Sequence, residues 1–88
     1  MIAEAQPIDN VLFQYDRDHD VLHITIGRPM ISYAEEPSPG IYIRYAEEDD
    51  TLTGIVIMDY KKRPHTSIQN MLPISINFDD IDKKIDST

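Results

Sequence analysis

The amino-acid sequence predicts an α+β, mainly β domain: an antiparallel β-meander of four to five strands with a short C-terminal helical or extended segment. Three observations carry this. Apolar and polar residues alternate with period two in a series of short runs, the pattern of strands with one buried face. Clusters of Gly, Pro, Asp and Glu separate those runs at short intervals, as hairpin turns require. Helix-type signals enter only after residue 65.

The elements follow in order. Val11, Phe13 and Tyr15 share one face of "VLFQY", and Leu22, Ile24 and Ile26 share one face of "VLHITI". Between them lies "DRDHD", whose aspartates accept hydrogen bonds from nearby backbone N–H groups and tolerate unusual φ values, so a hairpin turn is expected. "MISYA" (30–34) follows the Gly27–Arg28–Pro29 turn, and Pro37 and Pro39 are expected to forbid regular pairing beyond it. In "GIYIRYA" (40–46), Ile41, Ile43 and Tyr45 point inward, Tyr42 and Arg44 outward. "TLTGIVIM" (51–58) is apolar on both faces at Ile55, Val56 and Ile57, which predicts a central strand.

Thr66 and Gln69 have the spacing of a capping box, predicting a helical turn over residues 67–71 that Pro73 ends. "LPISINF" alternates again, as an added strand or as an extended segment laid across the sheet. Asp79 is the expected cap of a short helix carrying Ile81 and Ile85 at i and i+4, with Lys83 and Lys84 near its negative end. The expected core holds Phe13, Leu22, Ile24, Ile26, Ile41, Ile43, Ile55, Ile57, Leu72, Ile74 and Phe78. One domain over 1–88 is expected, ordered over about 9–82, with loose residues at both ends.

Composition narrows the function classes. The chain of 88 residues has no cysteine, so disulfides, thiolate metal sites and thiol nucleophiles are absent together. No run approaches the roughly 18 apolar residues of a membrane span, and the start lacks a secretory pattern, so a cytoplasmic protein that does not bind membranes is expected. Sixteen acidic against eight basic residues give a formal charge of −8, which suits a basic protein partner better than a nucleic acid.

Asp16, Asp18 and Asp20 begin like a calcium loop, but Val21 and Gly27 stand where that loop needs glycine and a bidentate glutamate. His19 and His23 are four apart, which on an extended chain separates them by roughly 13 Å, too far to share a metal ion. His65, beside Pro64, reads as a loop residue. Glu35–Glu36, Glu47–Glu48 and Asp49–Asp50 read as solvated loop carboxylates rather than an acid–base pair. No nucleophile elbow, phosphate loop or zinc-protease motif is present, so no catalytic residue, metal ligand or cofactor is assigned. An enzyme would need a concavity in which His23 or His65 meets a carboxylate. The expected interaction surface is Tyr42, Arg44, Val56, Met58, Tyr60 and Lys61; with Val21 it leaves apolar area that a monomer rarely exposes, which predicts a homodimer or a protein partner. The alternative is single-stranded nucleic acid, stacked on Tyr60 and neutralised by Arg44 and Lys61 to Arg63.

The stretches "FQYDRDHDVLHITI" and "YAEEPSPGIYIRYAEEDDTLTGIVIMDYKKR" resemble the small prokaryotic proteins grouped as domain of unknown function 2283. Tyr15, Asp16, Asp20, Leu22, Ile24, Gly40, Gly54, Ile55 and Ile57 fit that pattern over residues 13–63. His23, where tyrosine is frequent, and an "EEDD" turn without a closing D-x-x-G depart from it. The resemblance implies a fold and no catalytic set; it also implies an antitoxin-like role beside a small basic protein.

Overall fold

The computed structural model describes the backbone of residues 6–8 and all of residues 11–87. Among them are six strands: β1 (Gln6–Ile8), β2 (Val11–Asp16), β3 (Val21–Ile26), β4 (Ser32–Ser38), β5 (Ile41–Ala46) and β6 (Leu52–Met58). A 3-10 turn at Tyr60–Lys62 leads to α1 (His65–Gln69) and α2 (Phe78–Asp86). The fold class is the expected one, α+β and mainly antiparallel β. The first described strand begins at Gln6 and the last helix ends at Asp86. Part of the expected loose ends, residues 1–5 and 88, lies outside the described residues.

Strand order is β1-β2-β3-β6-β5-β4, antiparallel throughout. Each half is a three-strand meander, and the halves join where β3 pairs with β6. One continuous meander would have put β4 beside β3, in mid-sheet. β4 carries Glu35, Glu36 and Pro37 and is exposed along most of its length, so its place is an edge. The centre goes to β3 and β6, the strands with most apolar surface to cover. The connection through residues 27–31 therefore runs from mid-sheet to the far edge.

Three strand details differ from expectation. β4 begins at Ser32 and continues through Pro37, with an irregular register between Glu35 and Ser38. At an edge, the missing proline N–H faces solvent instead of breaking a ladder. A second irregularity lies between Arg44 and Tyr45, after which Ala46 is fully buried and Tyr45 only half-buried. Tyr45 packs instead on Tyr33, their ring centres 5.6 Å apart.

The core forms where Phe13, Tyr15, Leu22, Ile24, Ile41, Ile55 and Ile57 meet Tyr60, Ile68, Phe78, Ile81 and Ile85. Ile26, Leu72 and Ile74 line its margin, only partly buried; the segment after α1 is irregular and pairs with no described strand. The predicted capping box does not form. Pro64 precedes α1, and the Gln69 amide reaches forward, donating to Ile74 O (2.6 Å) and accepting from Ile76 N (3.0 Å). A polar side chain thus satisfies a crossing segment that has no strand neighbour. Asn77, not Asp79, caps α2, its side chain accepting from Asp80 N at 3.1 Å. Asp79 sits inside the first turn, where a carboxylate favours the positive helix end, and Lys83 and Lys84 occupy the last turn as expected.

Candidate functional site

The aspartate-rich opening is a turn, as expected. Asp16 Oδ1 accepts from the backbone N–H of Asp18 (3.1 Å) and His19 (3.3 Å), and Asp20 closes the turn at φ 54°. The His19 ring, hydrogen-bonded to Asp16, holds the Asp16 carboxyl below the usual carboxylate range. Asp20 accepts from the Tyr15 hydroxyl (2.6 Å) and from the backbone N–H of Lys61 (3.0 Å). The turn therefore clamps the β2–β3 hairpin to the chain leaving β6. Its carboxylates diverge to different partners, an arrangement suited to holding backbone in place.

Both helices pack on the face that carries Leu22, Ile24, Ile55 and Ile57. Cross-strand register builds the opposite face in three rows. Asp16, Val21 and Met58 form one; Gln14, His23, Val56 and Tyr42 form the second; Leu12, Thr25, Gly54, Arg44 and Ala34 form the third. Four of the predicted surface residues, Tyr42, Arg44, Val56 and Met58, thus come together on adjacent strands. Met58 is 42% exposed and Leu12 43%. At Gly54 an added Cβ would lie 2.8 Å from Ile24 O, so glycine lets β3 and β6 close up and leaves a notch beside the Arg44 stem. Arg44 has no carboxylate partner among the described residues. The charge of Glu36, and then a hydrogen bond to it, raise the Tyr42 phenol.

Tyr60 and Lys61 belong elsewhere, which corrects their placement on this surface. Tyr60 is 1% exposed, beneath the helices, and donates to Asp82 Oδ1 at 2.6 Å. Desolvation first, then the Asp82 carboxylate, raise its phenol far above the ordinary value. Lys61 Nζ pairs with Asp86 (2.8 Å), Lys62 lies 3.8 Å from Asp59, and Arg63 donates to the carbonyls of Met58 and Pro39 (both 2.7 Å). The basic triplet is a set of tethers at the end of β6.

The tertiary structure also assembles a cluster that spacing did not reveal. His65 places Nε2 2.8 Å from Asp82 Oδ2 and Nδ1 3.2 Å from Asp79 Oδ1, and its ring stacks on Tyr60 with centres 6.2 Å apart. A cleft of about 350 Å³ adjoins it, lined by Thr66, Gln69, Ile76, Asn77 and Phe78 among others. This is the histidine–carboxylate meeting that an enzyme would require. Each ring nitrogen lies within ion-pair distance of a carboxylate on α2, so the ring ties α1 to α2. The only available signal was Asp79 and Asp82 at i and i+3 on one helix. No helix among the described residues is long and apolar enough to cross a membrane.

No curated protein and no solved structure matches the chain. The model of a family described as "Protein of unknown function (DUF2283)" matches residues 12–61, from β2 to the turn after β6. That span holds Leu12, His23, Arg44, Val56 and Met58 of the helix-free face and ends before His65. With more than half of its residues inside the match, the chain belongs to the DUF2283 family.

Proposed function

We propose that this chain is a small noncatalytic protein-binding module, an antitoxin-like partner of a basic protein, which it docks on the helix-free face of the sheet. The observation that carries the reading is the register that sets Met58, then Val56 beside Tyr42, then Arg44 in successive rows of one face, with no carboxylate partner for Arg44 among the described residues. A sheet face with half-exposed apolar side chains and no covering layer among the described residues is the kind of surface that association buries. The charge of −8 supports steering toward a basic partner. A cytoplasmic setting, and a homodimer through the same face, belong to the same proposal. The nucleic-acid alternative needs a stacking ring at Tyr60, which lies under the helices, so it has less support.

Copurification from the native cell tests this. The chain is expected to carry a stoichiometric basic protein, or to elute as a dimer, and Val56→Glu with Met58→Glu is expected to abolish either without lowering thermal stability. A monodisperse monomer with no protein partner, or salt-sensitive binding to short oligonucleotides alone, overturns the proposal.

A further inference from the structure

We propose a second docking surface on this molecule: the open edge of β4 receives an extended, basic segment of a partner protein as an added strand. The inference rests on the protein-binding reading above but uses a different part of the sheet. Ala46 directs its peptide groups away from β4, its N–H donating to Thr51 O (2.8 Å) and its carbonyl accepting from Asp50 N (2.9 Å). In an antiparallel ladder the direction alternates, so Tyr45 and Ile43 turn toward their partners Tyr33 and Glu35 on β4. Ser32 and Ala34 consequently aim their own N–H and C=O groups off the sheet. These are two sets of backbone groups, two residues apart, on an edge that no other described strand covers.

Charge selects the occupant. β4 contains Glu35 and Glu36 and no cation, and the neighbouring turn adds Glu47 and Glu48, which have no ion-pair partner among the described residues. Glu36 already accepts from Gly40 N (3.0 Å); Glu35, Glu47 and Glu48 are exposed. A second copy of the chain would bring the same acids to this edge, whereas a strand bearing Lys or Arg brings their complement. An apolar anchor lies at one end. Ile31, next to Ser32, is 80% exposed and borders a cleft of about 560 Å³ with Pro29, Met30 and the two glutamates, a size that accepts side chains of a bound peptide. The cleft also carries one cation, Arg28. Pro37 and the irregular register after Glu35 end the edge, limiting the added strand to the stretch from Ser32 to Glu35. Backbone pairing then supplies affinity, and the glutamates and the cleft supply selectivity.

The probe is an acetylated, amidated heptapeptide alternating lysine with valine, titrated into the full chain by ¹H–¹⁵N correlation spectroscopy, with a glutamate–valine peptide as control. The lysine peptide is expected to shift the amides of Ser32 and Ala34 most, with affinity that falls as salt rises. Ala34→Pro removes an outward N–H that the sheet does not use, and is expected to weaken binding about tenfold with the fold intact. Glu35→Gln with Glu36→Gln is expected to weaken it several-fold, and decides the matter if the proline variant does not fold. No shift with the lysine peptide, an equal response to the glutamate peptide, or unchanged affinity in these variants overturns the proposal. Shifts centred on Val56 and Met58 overturn it while leaving the sheet-face reading standing; β4 shifts that grow with protein concentration alone show a second copy as the occupant and overturn it too.

Discussion

Tyr60 and Tyr15 show how single residues in this chain do work that their neighbours in sequence do not disclose. Each places a phenol against an aspartate, Asp82 and Asp20, at 2.6 Å, and the two rings meet edge to face with centres 6.1 Å apart. Burial first, then the carboxylate, raise both phenols well above 10.0, the value for an unperturbed tyrosine. The folded state therefore holds these protons more tightly than the unfolded chain does. Their contribution to stability is complete below pH about 10 and declines as pH rises beyond it, because the unfolded chain then releases protons that the folded one keeps. Urea titrations are expected to show stability falling from pH about 10 upward, with phenolate absorbance from the buried rings appearing together with unfolding. Tyr60→Phe is expected to flatten that decline and, at neutral pH, to cost about 1–3 kcal/mol, since it removes a hydrogen bond to a charged, partly buried acceptor.

At the scale of elements, the short helices are held by side chains that reach across loops. Gln69 fastens residues 74–76, His65 spans from α1 to two carboxylates on α2, and Arg17 donates to the Ile85 carbonyl. A nine-residue helix is marginal alone, so its cap and its docking decide whether it forms. Asn77→Ala is expected to lower stability by about 1 kcal/mol in urea titrations, the usual loss of an N-cap. Asp79→Ala is expected to cost less than Asn77→Ala, because its carboxylate is 84% exposed and caps nothing. The reverse ranking would reinstate Asp79 as the cap. Gly40 illustrates a different constraint: at φ 84°, with the Arg63 guanidinium lying where a Cβ would go, its position allows no side chain without displacing the tether at the end of β6.

The whole molecule is a sheet with unequal faces. One carries the core, closed by Ile68, Phe78, Ile81 and Ile85; the other is bare of helices. Ile81→Ala is expected to cost about 2–5 kcal/mol, because a fully buried side chain leaves a cavity behind it. Met58→Ala, on the bare face, is expected to stay within about 0.5 kcal/mol, the range of ordinary surface substitutions. Comparable losses in the two variants, measured by urea denaturation, would mean that the outer face is packed in the isolated chain. The family match runs from Leu12 to Lys61 and so covers most of the sheet, while the side chains that close the core come from beyond it.

What the sequence by itself determined is everything that depends on local geometry. Alternation along Val11–Tyr15, Val21–Ile26, Ile41–Arg44 and Ile55–Ile57 is a property of the extended chain, so strands, inward faces and the central place of β6 were legible without coordinates. The same holds for the Asp16 turn, which closes on amides two and three residues away. Only the tertiary structure decided which strand lies beside which, and with it the pairing of β3 with β6, the burial of Tyr60, and the meeting of His65 with Asp79 and Asp82. Those arrangements join residues far apart in the chain, and no periodicity records them; the strand order itself follows from the polar strand β4 lying at an edge and the apolar strands in the middle. Asp20 stands at the boundary between the two, since its backbone belongs to a turn visible in the sequence, and its carboxylate to Lys61, 41 residues away.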